Sequence, residues 1–554
     1  MAWFATNMPC PSRSHELVNL IILLLALPSG SLGQWDLTSL TAAEAVEGLC
    51  ARNFTAVEYN QALLDRIEAF SCLNAFAATD PAKVLADAAA IDAKYERGED
   101  IRPLCGLGFV VKDNIDVAGF VPESSSPIVD RLLDANGVVL GKTRMHELAY
   151  GGTSINPVYG PVLNPYNNTC HVGGSSGGTA AIVAARGAPG GFGSDTAGSC
   201  RFPAAFNGLV GFRPSLPCWN SGDGCVPMST TRDTVGALAR TVDDVIMFTK
   251  VFSDCNETFP QLDLAGLRLG YPTDFWKGLE SEAAPVYEAA LSALEAAGAT
   301  LVEFELTPFF EQTLVDGVGG FDLNINYEMP RELARWLYSH KVNISVTELV
   351  SKIQTPMAKE NLDAAVNFGL DEPGKTPADY FKMVRAIPGL IDEWNALFTT
   401  YDFDVVITPT MLVAAKPISQ IEPYTYVDGK LVSFLSTYTN MLVFDAALNI
   451  PGVSMPVGLT ASGMPLGLQL QYKPASNDGY LLAATKAVEA ALPSTPPPPF
   501  PPACKGCRPS VDFTPKVSYT GVGDPSPTDT TSYYSLRLSG ACALADQFPG
   551  LSKA

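Results

Sequence analysis

The chain predicts an α/β fold, on three observations. Continuous apolar runs of strand length recur along it, helical segments with their own start signals lie between them, and no linker divides residues 34–490. A run apolar at every position reads as a strand buried on both faces, as in sheets covered by helices. At 554 residues and 47% hydrophobic, the chain is long enough for one large core or several ordinary domains.

The first 33 residues read as a leader. Arg13 precedes an apolar run at 17–27, and the small residues Ser29, Gly30, Ser31 and Gly33 follow. Such a run is shorter than the roughly 20 residues a spanning helix needs. A signal peptide over 1–33 accounts for it, with Ser31 and Gly33 at the minus-three and minus-one positions and Gln34 as the new N-terminus. A buried N-terminal helix is the alternative, and Pro28 and the polar residues ahead of the run count against it. The expected location is therefore secreted or secretory, without a stable membrane anchor. The 12 cysteines and the sequons at Asn53, Asn167, Asn256 and Asn343 agree, although sequons also arise by chance. Loss of Cys10 with the leader would leave eleven cysteines, so at least one is free or paired between chains. Cys218 and Cys225, flanking WNSGDG, are the expected local disulfide.

Thr41-Ala-Ala-Glu44 and Thr55-Ala-Val-Glu58 are capping boxes, so two short helices open the mature chain. The run LCGLGFVV at 104–111 predicts a doubly buried strand, and similar runs stand at 138–140, 405–408 and 452–457. Residues 284–297 read as a helix. Beyond 490 the composition shifts: four prolines at 496–499, then Phe500, Pro501 and Pro502, favour an extended spacer. Residues 503–554 read as a loosely ordered tail, so 491–554 is spacer and tail. Cys504 and Cys507 form a CxxC there, but with no βαβ setting and no second pair at zinc spacing it predicts no metal or redox site. The 36 Lys plus Arg against 58 Asp plus Glu leave a net charge of -22. That field repels nucleic acid and anionic membrane and excludes phosphate-rich partners.

The chemistry concentrates at 173–203, GGSSGGTAAIVAARGAPGGFGSDTAGSCRFP, where Ser175 and Ser199 stand 24 residues apart. Glycines beside Ser175 and Ser176 let main-chain N–H groups approach a reacting group closely. A helix over 179–185 leaves this turn, and a strand at 190–194 feeds the loop Asp195-Thr196-Ala197-Gly198-Ser199, where successive N–H groups can converge on one oxygen. A serine needs a base, and the four histidines are His15, His146, His171 and His340. Lys112 is the better candidate, because it ends an apolar strand where desolvation would favour its neutral form. From position alone the commoner reading is a lysine marking a strand end at the surface. Cys200 reads as a small packing residue, and His146 and His171 as structural or substrate-facing.

The GGSSGG and GSDTAGS-R-P pattern resembles the amidase signature family. The resemblance runs over about residues 37–490 through VVKDN at 110–114, GKTRMHELAYG at 141–151, FNGLVGFRPS at 206–215, and the NIPGVSMPVG and MPLGLQL segments. Within the family, STTRDTVG at 229–236 and PTMLVAAKPI at 409–418 are similar to indoleacetamide and mandelamide hydrolases. The family implies one large domain over 34–490, a central twisted mixed sheet covered by helices, and a Ser, cis-Ser, Lys triad. Carried over, Ser199 is the nucleophile, Ser175 the bridging serine and Lys112 the base. Thr196, Ala197, Gly198 and Ser199 supply the oxyanion hole, supported by Ser176, Asp195 and Arg201. The scheme gives a metal or organic cofactor no task. Two departures are Ala197, where many members have glycine, and Val172, where proline is frequent. Alanine at 197 strains the loop only if a positive φ is needed there.

The expected function is a secreted serine amidohydrolase acting on a small-molecule amide. Three readings compete. In a phosphate loop a lysine would precede the Ser/Thr, whereas Gly178 precedes Thr179. A secreted binding protein that keeps the fold without turnover is disfavoured by the intact Lys112, Ser175 and Ser199. An amidotransferase subunit serving transfer RNA is disfavoured by the leader and the acidic charge.

Overall fold

Eleven strands form one mixed sheet: β1 (Phe76–Ala78), β2 (Gly108–Lys112), β3 (Val138–Thr143), β4 (Gly190–Asp195), β5 (Val210–Arg213), β6 (Thr234–Ala239), β7 (Arg268–Pro272), β8 (Thr300–Phe304), β9 (Val405–Pro409), β10 (Gly452–Leu459) and β11 (Pro465–Gln471). Their order across the sheet is β1-β3-β2-β4-β6-β5-β10-β11-β9-β7-β8. The pairs β2/β3 and β2/β4 are parallel, as are β7/β8 and β7/β9, while the remaining neighbours are antiparallel. The computed structural model describes residues 36–499, apart from 121, 217, 220, 221, 223, 310–320, 367–375, 421–423, 438–440 and 476, with two-residue strands at Thr514–Pro515 and Tyr534–Ser535. The expected signal peptide, Cys504, Cys507 and the rest of the expected tail lie outside the described residues. Among the described residues, no helix is long and apolar enough to cross a membrane.

The local signals act as the residue types dictate. In both capping boxes the threonine hydroxyl accepts the N3 backbone N–H and the glutamate accepts the cap N–H, at 2.8 Å from Thr41 and from Thr55. The helices Ala42–Cys50 and Ala56–Ala69 follow. The helix expected at 284–297 spans Ala284–Ala296. Strand β2 starts at Gly108, later than the apolar run. Residues 104–107 turn instead: the Leu104 N–H reaches the Ala135 carbonyl at 3.0 Å, and Cys105 takes φ 51° and bonds Cys50.

The expected Cys218–Cys225 disulfide is corrected: Cys218 pairs with Cys255. The helix Val242–Phe252 returns the chain to Cys218, and the Asp254 N–H donates to the Cys218 carbonyl at 2.8 Å. Cys225 instead bridges to Ile115, and its sulfur accepts from Asn114 Nδ2 at 3.3 Å. Nearness in sequence favoured Cys225, but the helix return decides the pairing. Among the described residues Cys170, Cys200 and Cys225 are free.

An aromatic cluster backs the strands that carry the site. Phe109 of β2 meets Phe192 of β4 edge-on at 4.6 Å, and Phe192 meets Phe252 at 4.9 Å. Edge-to-face contact is the favoured arrangement for such rings, so the two strands share one rigid backing. Further along the chain, the helix Pro377–Thr400 packs Met383, Leu390 and Trp394 with Val406 of β9 and Phe444, while the helices Phe321–Ser339, Val346–Lys352 and Pro356–Val366 build a separate apolar layer. Ile325, Met329 and Leu333 pack there with Tyr150 and Met228, residues of the loops above the sheet.

Candidate active site

Parallel pairing brings the C-terminal ends of β2 and β4 together. Val110 lies opposite Gly191 and Val111 opposite Phe192, so Lys112 ends its strand where Ser194 and Asp195 leave theirs. The crevice beyond the carboxyl ends of parallel strands is where α/β sheets place their sites. Lys112 is fully buried, its Nζ 2.6 Å from Ser175 Oγ and 2.8 Å from Ser194 Oγ. Asn114 Nδ2 donates to the same Ser194 hydroxyl at 3.1 Å. Burial pushes the Lys112 ammonium down to about 8, with Cys200, Cys225, Asp195 and Asp233 acting the other way. A lysine so placed is neutral in a usable fraction of molecules near neutral pH and can accept a proton.

The Gly174–Ser175 peptide is cis. The Ser175 carbonyl accepts the His146 N–H at 3.1 Å, and the Ser176 N–H donates to the Ser199 carbonyl at 3.3 Å. Loop 174–176 is thereby tied both to the segment after β3 and to the loop after β4. Strand β4 is glycine-rich because there is no room for side chains beneath this junction. A Cβ on Gly193 would stand 2.7 Å from Cys200 Sγ and 2.8 Å from Ser176 Oγ.

The loop 195–199 wraps its own carboxylate. Asp195 accepts the Gly198 N–H at 2.8 Å and the Cys200 N–H at 3.2 Å, and Arg201 closes on it through Nε at 3.0 Å and Nη2 at 2.9 Å. Burial works to raise the Asp195 carboxyl, but Arg201, Arg213 and the Gly198 N–H outweigh it and hold the group well below the usual carboxylate range. Arg201 also pairs with Asp445 and donates to the Leu442 carbonyl at 3.1 Å. Ala197 is not among the positive-φ residues, and the left-handed position falls to Gly198 at φ 107°. Because the Gly198 N–H is engaged by Asp195, the N–H groups of Thr196, Ala197 and Ser199 are the ones left without an acceptor among the described residues. Ser199 is 8% exposed above fully buried Ser175 and Lys112, so it is the member a ligand can reach.

All the residues singled out in the sequence therefore converge: Lys112, Ser175, Ser176, Asp195, Thr196, Ala197, Gly198, Ser199 and Arg201. The sequence reading did not reach Ser194, Asn114, Asp445, Arg213 or Asp233. Asn114 and Arg213 lie inside the VVKDN and FRPS segments and Asp233 inside STTRDTVG, so those motifs were the available signal. Ser194 is the first serine of GSDTAGS, whereas nothing marks Asp445, which matters only through its spatial neighbours. His146 is fully buried and pushed down to about 3 by burial, with Lys112 adding to it. His171, also driven to about 3 by burial, packs edge-on against Phe206 and Phe434, and its Nδ1 accepts the Gly173 N–H at 3.2 Å. Both are packing and loop-bracing residues. Burial pushes the Cys200 thiol up to about 12, which leaves it an inert filler.

A buried lysine on a serine, beneath a second serine whose loop presents spare N–H groups, defines a serine-hydrolase site that works without histidine. The Amidase family profile matches residues 58–481. The chain belongs to the Amidase family, and it is an amide-hydrolysing enzyme. It is 33% identical over 468 residues to an indoleacetamide hydrolase from Agrobacterium vitis, spanning 82% of this chain and 97% of that protein. A mandelamide hydrolase from Pseudomonas putida is 32% identical over 488 residues, 83% of this chain and 92% of its own. Among solved structures, the peptide amidase of Stenotrophomonas maltophilia superposes with a TM-score of 0.68 at 25% identity, covering 83% of this chain and 98% of that one.

Proposed function

We propose that this chain is a secreted serine amidohydrolase that converts a small aryl or alkyl carboxamide into the carboxylic acid and ammonia or an amine. The observation that carries the mechanism is the 2.6 Å contact between the buried Lys112 amine and Ser175 Oγ. Neutral Lys112 takes the Ser175 proton as Ser175 takes that of Ser199, and Ser199 Oγ attacks the carbonyl carbon. The developing oxyanion is met by the N–H groups of Thr196, Ala197 and Ser199, with Gly198 committed to Asp195. Collapse of the adduct breaks the C–N bond, and the proton held on Lys112 returns through Ser175 to the leaving nitrogen. Water then attacks the acyl ester, giving its proton along the same path, and the acid departs as Ser199 is reprotonated.

Support for the substrate class comes from the amide-hydrolysing activities of the indoleacetamide and mandelamide hydrolases it resembles. Support for secretion comes from the leader-like first 33 residues and from the Cys50–Cys105 and Cys218–Cys255 bridges, which suit an oxidising compartment. The test is to screen primary amides, esters and N-acyl amines for ammonia or amine release, and to label with a serine-directed fluorophosphonate. Wild type is expected to turn over and label at Ser199. Ser199→Ala is expected to lose the label, and Lys112→Ala to lose at least about a thousandfold in kcat. A folded wild type that neither labels nor releases product would instead be the non-catalytic binding protein.

A further inference from the structure

The turn 228–233 joins the Ser199 loop to helices outside the catalytic sheet. Asp233 accepts the Thr196 hydroxyl on Oδ1 at 2.6 Å, and its Oδ2 accepts the N–H groups of Met228 at 2.7 Å and Ser229 at 2.9 Å. On its far side the same turn is gripped by Glu328, from the helix Phe321–Ser339. That carboxylate accepts Ser229 Oγ at 2.5 Å, Thr231 Oγ1 at 2.8 Å and the Thr231 N–H at 3.4 Å. Two further donors complete it: Asn324 Nδ2 at 3.0 Å, and Tyr380 Oη of the helix Pro377–Thr400 at 2.6 Å.

Glu328 and Asn324 are buried, at 4% and 1% exposure, so water does not stand in for these partners. A carboxyl group in that position is tolerated only when its acceptor sites are filled, and filling them fixes the donors in turn. Three of its five donors belong to the turn that carries Asp233. The connected path is Tyr380, Glu328, Ser229, Asp233, Thr196, and it ends on a residue whose own N–H is one of the loop's unengaged groups. A loop N–H stabilises an oxyanion only if it is already aimed where the charge develops, so the bracing behind it is kinetically relevant.

We propose that Glu328 is a positioning residue for amide hydrolysis, holding the 228–233 turn so that Asp233 fixes Thr196 and its N–H at the oxyanion site. The proposal rests on the oxyanion role given to Thr196 above. Glu328 touches no reacting atom. A carboxylate that served only to clasp the two helices would change stability while leaving the kinetics of the folded enzyme alone.

The test uses the full-length enzyme with an amide that the wild type turns over. Glu328→Gln keeps the shape but turns one acceptor oxygen into a donor facing Ser229, Thr231 and Tyr380. It is expected to lower kcat about tenfold or more while KM stays within about threefold, with Ser199 still labelled stoichiometrically by the fluorophosphonate, only more slowly. Thr196→Val removes the bond to Asp233, so the double variant is expected to lose little beyond the larger single loss. Ser229→Ala removes the shortest of the turn's bonds to Glu328 without burying a new amide, and it is expected to lower kcat in the same direction if Glu328→Gln does not fold. Wild-type kcat in a folded Glu328→Gln or in Ser229→Ala overturns the proposal, as does simple multiplication of the Glu328→Gln and Thr196→Val losses. Failure of the hydrolase reading looks different: the wild type itself would neither label nor turn over.

Discussion

Ala197 stands where the family pattern often has glycine, and the loop accommodates its methyl because the left-handed turn comes one residue later. Gly198 carries φ 107°, and a Cβ there would stand 2.8 Å from Phe202 Cδ1 and 3.1 Å from the Leu442 Cβ. Gly198→Ala is therefore expected to lower kcat/KM by about a hundredfold or more, because the loop must shift at the atoms beside Ser199. Ala197→Gly is expected to change it less than threefold; comparable losses in the two variants would show that the loop tolerates neither side chain on other grounds. Lys112 sets the pH behaviour. Its folded value of about 8 lies below the ordinary 10.5, and the neutral form is the base, so kcat/KM is expected to rise with pH and level off above about 8. A profile flat from pH 6 to 9 would remove Lys112 as the titrating base. The same depression has a sign in stability. Between pH 8 and 10.5 the unfolded chain holds a proton at Lys112 that the folded one has released, so stability gains with rising pH across that window, by up to about 3 kcal/mol. Lys112→Met removes the group, so denaturant melts of wild type and variant are expected to diverge in favour of wild type as pH rises from 8 to 10.5. Parallel stabilities across that range would contradict the shift.

At the scale of elements, the strand pair β2 and β4 explains why two serines and a lysine far apart in sequence meet. Parallel register aligns their C-terminal ends, and the glycines of β4 admit Ser176, Thr179 and Cys200 against the strand. A Cβ on Gly191 would stand 2.7 Å from Thr179 Cγ2. Gly193→Ala forces Cys200 Sγ or Ser176 Oγ aside, and overpacking of this kind destabilises by about 1–3 kcal/mol. The expected outcome is a lower melting temperature together with a loss of kcat, since the displaced atoms adjoin the reacting serines; wild-type kinetics would show that the strand flexes away instead. Elements of this kind were legible in advance. The doubly buried strands, the two capping boxes and the turn-strand-loop order of 173–203 all rest on local residue choice. What was not legible depends on how elements return through space. Cys255 reaches Cys218 only because the helix Val242–Phe252 doubles back. Ser194 faces Lys112 only through the parallel register. Glu328 meets Ser229 across 99 residues, and no spacing rule carries that far.

For the molecule as a whole, every residue of the candidate site lies between Lys112 and Asp445, and the last helix of the described chain ends at Ala491. The residues just beyond it are still attached. Tyr166 Oη donates to the Pro496 carbonyl at 2.8 Å, and the Tyr166 N–H is held by Asn164 Oδ1 at 2.9 Å. Asn164 in turn donates to the Phe206 carbonyl at 2.9 Å and the His171 carbonyl at 3.3 Å, just ahead of the Gly173-Gly174-Ser175 turn. The stretch 492–499 thus braces the outer side of the loop that presents Ser175, whereas no described contact of the site calls on residues past 499. A chain of residues 34–499 is expected to keep kcat/KM within about twofold of the full-length protein. A chain of 34–491 loses the partner of the Tyr166 hydroxyl, a penalty of about 1 kcal/mol once water can reach it, and is expected to melt lower while retaining measurable turnover. Loss of activity in the 34–499 chain would assign residues 500–554 a part in the site or in its folding, and equal melting of the two truncated chains would release 492–499 from its bracing role.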